Sequence, residues 1–252
     1  MKKTRIFRTL ALGLMLAATL LSVGFADAET NGETGLERFI VNHGSRSSPK
    51  IAITMDDMFE REWAWKTAEL CKRYGIRITY FPIGANLFEQ DGDAWRQLVA
   101  DGFEIGSHSQ WHEGFHDLES SVAMGRLGHF LEQLDRVLGY HYQVRWFRPP
   151  FGNLADKNGS YEAMRRVLLR FGYEHSLLWD VSQTDPAEAF PRVKNGSILL
   201  FHARRKDYEC LEILIPQLLD AGFEPVTVSQ LFGYPDPEIS EECFVYDYKN
   251  YR

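Results

Sequence analysis

The chain has 252 residues and a formal net charge of −7, from 28 basic and 35 acidic side chains. That length suits one sizeable α/β domain, and the acidic balance argues against nucleic acid as a partner. The three cysteines, Cys71, Cys210 and Cys243, cannot all pair within one chain, and none stands in a CxxC spacing, so no disulfide framework is expected.

In chain order, the first expected element is a secretory signal peptide over residues 1–28. MKKTRIFR is basic, TLALGLMLAATLLSVGF is apolar, and Ala26-Asp27-Ala28 offers small residues for cleavage. The alternative is an uncleaved N-terminal anchor, since the apolar run approaches the length of a short spanning helix. Cleavage removes four basic side chains and one acidic one, so the net charge moves to −10. The expected location is secreted or in the cell envelope, and no later segment is long and apolar enough to span a bilayer. Residues 29–48 (ETNGETGLERFIVNHGSRSS) read as a polar arm leading into the domain.

From residue 49 to 233, strand-like and helix-like patterns alternate. Strands are predicted over 51–55, 77–82, 103–107, 144–148, 174–180, 197–202 and 224–228, and helices over 62–74, 93–101, 118–138, 159–171 and 207–221. The third helix is the clearest: Met124, Leu127, Phe130, Leu131, Leu134, Val137 and Leu138 recur at three and four. RYGI, ADGF, RFGY and DAGF each place a glycine between a helix and the next strand, a repeated helix-stop signal. The alternation predicts an α/β fold of β/α units with a mostly parallel sheet, open or closed as a barrel. Residues 234–252 are acidic and Tyr-rich, and read equally as an edge element or a loose tail.

Residues of catalytic type gather where the apolar strands stop: TMDD, IGSHSQWHEGF, FRPPFGN, LWDVSQTDP and LLFHA. In α/β sheets and barrels that is where sites form. His108 and His112, four apart, share a face if they lie on one helical turn, and with a carboxylate they make an N,N,O set suited to a divalent ion that activates water. His116 is a rival third ligand. Asp56 and Asp57 repel each other unless a cation offsets them; splayed at a frayed strand end, one can bind a metal while the other takes a proton. Arg148 leaves a segment stiffened by Pro149 and Pro150 and is suited to hold a buried carboxylate. His202, ending an apolar strand, reads as a structural histidine or a catalyst, and Asp185, before Pro186, as a turn residue or a site residue.

Together these segments resemble the polysaccharide deacetylases of carbohydrate esterase family 4, the NodB homology domain, from about Lys50 to Phe232. TMDDM is similar to T-F-D-D-G, HSQWH to H-[ST]-x-x-H, RPPFG to R-P-P-Y-G, WDVSQTDP to W-x-V-D-x-x-D-W, and LLFH to L-x-H. The resemblance implies a distorted (β/α) barrel of about seven parallel strands. It implies Asp56 as general base, Asp57, His108 and His112 as metal ligands, Arg148 orienting Asp56, and His202 as general acid with Asp185 holding its imidazolium. It also implies that the Phe151 N–H helps bind the oxyanion and that Leu200 forms part of an acetyl-methyl pocket. Pro149 and Trp111 complete the expected substrate-binding set, Trp111 as a sugar-stacking ring or as core.

The implied activity is metal-dependent hydrolysis of N-acetyl groups on amino sugars of a glycan such as cell-wall peptidoglycan or a chitin-type oligomer, releasing acetate. The implied cofactor is one divalent ion, Zn²⁺ first, with Co²⁺, Ni²⁺ or Mn²⁺ as substitutes; the expected state is a monomer. Met58 stands where the family has Gly, Ser182 where Asp is common, Pro186 where Trp is common, and Phe151 where Tyr is usual. These departures keep two alternatives open: an O-acetyl esterase and a catalytically silent glycan-binding relative.

Overall fold

The computed structural model describes residues 39–247; the signal-peptide reading lies outside them. In chain order the elements are β1 (Ile40–Val41), β2 (Lys50–Asp57), α1 (Arg61–Arg73), β3 (Thr79–Pro82), α2 (Gly92–Ala100), β4 (Glu104–Ile105), α3 (Ser120–Leu138), β5 (His141–Tyr142), β6 (Trp146–Phe147), α4 (Tyr161–Arg170), β7 (His175–Leu177), α5 (Pro186–Ala189), β8 (Ile198–His202), α6 (Arg205–Asp220), β9 (Glu224–Val226), α7 (Val228–Phe232) and β10 (Ile239–Ser240). No helix among the described residues is long and apolar enough to cross a membrane.

One sheet runs β4-β3-β2-β8 and a second runs β1-β7-β6, all pairs parallel. Two isolated parallel bridges link them, Ser107 just past β4 with Phe147 of β6, and Val181 just past β7 with Leu199 of β8. The ring β2-β3-β4-β6-β7-β8 is thereby closed, with single bridges at two seams: this is the distorted barrel. The eight-residue strand β2 carries β8 along its upper half and β9 along its lower half.

Strand alternation divides the core. Ile51, Ile53 and Met55 face the outer helices, whereas Ala52 packs inside the ring with Phe81, Trp146, Leu177 and Ile198. By the same alternation Thr54 and Asp56 continue the inner face upward. Val228 and Leu231 of α7 join that inner cluster. Helix α7 starts on a capping box of Thr227 and Gln230, and buried Glu104 accepts the Ser229 N–H at 3.0 Å. Ser160 caps α4 by accepting from Ala163 N–H. Gly139, at φ 78°, ends α3 in the left-handed conformation that glycine adopts freely.

One boundary reading changes and one left open is decided. Within the expected arm, Ile40 and Val41 pair in parallel with Ser176 and Leu177, so the polar segment contains a sheet edge. In the C-terminal segment, β10 pairs antiparallel with β5, and the Phe244 N–H donates to buried Asp135 at 2.7 Å. Residues 239–244 are thus an edge element docked on the domain. Cys71 and Cys210 are buried fillers, as expected.

Candidate active site

The site sits at the carboxyl end of β2. Alternation would send Asp57 to the opposite side from Asp56. Instead the Met58 N–H donates to the Asp56 carbonyl at 2.9 Å, closing a three-residue γ-turn with Asp57 at its centre at φ 71°. Asn86 Nδ2 donates to the Asp57 carbonyl at 2.8 Å and holds the turn. The adjacent carboxylates therefore share one mouth through a strained turn, not through fraying.

Asp57 Oδ1 lies 3.4 Å from His108 Nε2 and 3.5 Å from His112 Nε2. Among the described residues, Asp57, His108 and His112 form the one group of metal-capable side chains whose ligand atoms lie mutually within 4.8 Å. The histidines do not share a helical turn: residues 108–114 are irregular, and Ser109 at φ 70° breaks any helix there. The loop is fixed from below, where Gly84 N–H donates to the Ser109 carbonyl at 2.9 Å and Ala85 N–H to the Gln110 carbonyl at 3.0 Å. His116 stands outside the group, exposed beside Asp117.

Two features fit this trio to a cation. Asp57 Oδ1 is buried without a hydrogen-bond partner, which is costly for a carboxylate oxygen unless a positive charge reaches it. His108 shares a 2.8 Å hydrogen bond between Nδ1 and the Arg148 carbonyl, so Nδ1 carries the proton and Nε2 presents its lone pair. Burial pushes the His108 pKa down to about 3, against the opposing pull of Asp57, so the ring is neutral as a ligand must be.

Asp56 is held separately. Arg148 Nη1 donates to Asp56 Oδ1 at 2.7 Å and to Thr54 Oγ1 at 2.8 Å, and the guanidinium also reaches the Leu177 and Leu178 carbonyls at 3.3 Å. It lies 4.4 Å over the Phe81 ring, fully buried inside the barrel. Burial raises the Asp56 pKa above the usual carboxylate range, and Arg148 opposes that rise most strongly. His202 is the cross-strand partner of Asp56 on β8, and Leu200 is that of Thr54.

Asp185 is not brought to His202. It is exposed, N-caps α5 and accepts the Ala187 N–H at 2.8 Å, a use that Pro186 at the first helical position favours. The carboxylate beside His202 is Asp207, 3.8 Å from Nδ1, which also accepts the His202 backbone N–H at 2.9 Å. Asp207 raises the His202 pKa; Asp56 and Asp57 act the same way and burial opposes them. Sequence reasoning missed Asp207 although a signal was present: it is the acid in the first turn of the helix that follows LLFH. It also missed Thr54 and Asn86.

The rim is aromatic. The Phe151 ring meets His112 edge-on at 4.5 Å, and Phe59 does so at 6.3 Å. Trp111 is 47% exposed, which removes it from the core. Phe151, directly after Pro149 and Pro150, has φ 60°. Met58 is fully buried in the main core, so it does not narrow the mouth; its cost is a φ of 64°. Among the described residues, four non-glycine residues adopt left-handed φ, Asp57, Met58, Ser109 and Phe151, and all four border this site. Strain of that kind persists only where its surroundings enforce it.

The polysaccharide deacetylase family model matches residues 43–175. The chain is similar to the uncharacterized protein YlxY of Bacillus subtilis (strain 168), at 24% identity over 197 residues, covering 75% of this chain and 59% of that protein, which is less than two thirds of its length. It is also similar to a peptidoglycan-N-acetylglucosamine deacetylase of Bacillus cereus, at 27% identity over 204 residues, covering 73% of this chain and 88% of that one. Among solved structures, a wild-type CE4-family pseudoenzyme from Bacillus anthracis superposes with a TM-score of 0.67 at 19% identity, over 76% of this chain and 68% of the other. At that identity the likeness concerns the fold alone.

Proposed function

This chain belongs to the polysaccharide deacetylase family, and from that premise we propose that it is a secreted, metal-dependent hydrolase that removes N-acetyl groups from the amino sugars of a cell-wall-type glycan. The observation that carries the reading is the pairing of a partnerless buried Asp57 oxygen and two histidines with a separate, arginine-held carboxylate, Asp56.

Asp57, His108 and His112 are the residues that would hold the cation, and imidazole with carboxylate donors suits Zn²⁺ first, with Co²⁺, Ni²⁺ or Mn²⁺ as substitutes. When bound, the ion supplies Lewis acidity toward the acyl oxygen and the attacking water. Asp56 accepts the proton of that water. Arg148 favours the ionised form of Asp56 against its burial and points it at the mouth. The Phe151 N–H supplies a hydrogen bond to the developing oxyanion, and removing such a donor typically costs about 10²–10³ in rate. His202, with Asp207 beside its Nδ1, delivers a proton to the departing amine nitrogen, without which an amide does not leave. Leu200 walls the acetyl methyl, and Trp111, Phe59 and Phe151 offer faces and edges to sugar rings.

Acetate release from matched N-acetylated and O-acetylated glycans tests the reading. Faster release from the amide substrates supports it. Release from esters alone assigns the O-acetyl esterase activity, and glycan binding without release assigns a silent relative.

A further inference from the structure

Arg204 is a charged group in the site that the mechanism does not use. Its Nη2 stands 3.8 Å from Asp57 Oδ2, on the side opposite Asp57 from the oxygen that faces the histidines, and its side chain is 52% exposed. The guanidinium makes no hydrogen bond to any described residue, and 3.8 Å is too long for one to Asp57. Beyond this long ion pair with Asp57, Arg204 gains nothing locally: it is the N-cap residue of α6, where a side-chain acceptor is useful, and it makes no cap bond. The next cation, Arg205, is by contrast committed to Glu209 at 2.7 Å. The fork of donors at Arg204 is thus open to solvent at the mouth, two residues beyond His202, on a chain whose overall charge of −7 repels acidic polymers.

We propose that Arg204 is a specificity-determining residue that reads a carboxylate on the glycan, carried by the sugar that loses its acetyl group or by the sugar beside it. The inference rests on the deacetylase reading and narrows its substrate class to acidic, carboxylate-bearing acetamido glycans. A planar guanidinium with free donors matches a carboxylate in charge and geometry. Half exposure makes the gain modest and salt-dependent.

The test uses three tetrasaccharide probes: an N-acetylglucosamine tetramer, the same tetramer with a 3-O-lactyl carboxylate on alternate sugars, and that second compound with its carboxylates converted to methylamides. The metal-loaded full chain is compared with R204Q, R204K and R204E. The readout is the preference, the kcat/KM ratio of the acidic probe over its amide. We expect R204Q to lower this preference about fivefold, R204K to keep most of it, R204E to lower it further, and added salt to lower it in the unmodified chain and in R204K but not in R204Q. Mass spectrometry of the product shows whether the deacetylated sugar or its neighbour carries the lactyl group. Calorimetric binding of the acidic probe to metal-loaded D56N, with and without R204Q, gives a second readout that does not need turnover. Binding weakened by R204Q for the acidic probe and not for the amide supports the role even if no acetate is released, an outcome that would defeat the deacetylase reading alone. Equal preference and equal binding in the unmodified chain and R204Q overturn the proposal. So does a loss in R204Q that is the same for charged and amidated probes, because that pattern reports Asp57 and not the substrate.

Discussion

Arg148 and Asp56 form an ion pair of 2.7 Å with both side chains closed off from solvent. Such a pair is weak evidence for stability, but breaking it from one side is expensive, because the remaining charge is buried alone. Here the arginine also aligns a second element: its backbone carbonyl holds the Nδ1–H of His108.

Replacing Arg148 with methionine therefore leaves the burial penalty of Asp56 opposed only by the smaller pull of His202 and His112. R148M is expected to lose about 3–5 kcal/mol of unfolding free energy, read by urea denaturation. Asp56 already titrates above the usual carboxylate range because of burial, and without Arg148 it rises further. The acid limb of kcat/KM in the folded fraction should shift to higher pH, since the base is active only above its pKa.

Cation binding should stabilise the fold, because a ligand that binds the folded state alone raises its stability by mass action. Zn²⁺ added to chelator-stripped protein should raise Tm and bind at one equivalent per chain, and H108A or D57N should abolish the tight equivalent. A Tm rise undiminished in both variants would place the cation elsewhere.

Asp207 raises the His202 pKa. A general acid works only while protonated, so its activity is present below its pKa and is lost as pH rises through it. D207N should move the alkaline limb of the pH–rate profile to lower pH, whereas D185N should leave the limb in place, because Asp185 caps α5. Substrates that leave readily, such as aryl acetate esters, should be less sensitive to D207N than amides.

Met58 is buried at φ 64°, so two effects compete. M58A removes packing worth about 2–5 kcal/mol. M58G removes the same packing but frees the backbone from a left-handed conformation that costs a side chain about 1–2 kcal/mol. M58G should therefore be more stable than M58A by about 1 kcal/mol, the reverse of the order in a regular strand or helix, and paired urea titrations decide it.

Much of this was legible in the sequence because hydrophobic periodicity is local. The heptad-like apolar face of residues 118–138 and the apolar run at 50–55 appear as α3 and β2. Glycines after helices marked stops, as at Gly139. Where local signals failed, the cause was backbone conformation or long-range pairing. No residue pattern announces that Asp57 and Ser109 take left-handed φ, so the turn at the end of β2 read as fraying and the two histidines read as helical. Asp185 was favoured as the partner of His202 through resemblance, but an aspartate before a proline is also a helix cap, and that use took it. Asp207 lies only five residues past His202, but a helix start sits between them and returns its carboxylate to the strand end.

The most direct measurement is acetate release from an N-acetylglucosamine tetramer by protein stripped of metal, then reloaded with Zn²⁺, alongside D56N treated identically. The predicted result is release that appears on reloading the unmodified chain and falls by at least about 10²-fold in D56N, with one equivalent of metal retained in both. Release that persists without metal, or that D56N supports at the unmodified rate, would contradict the account.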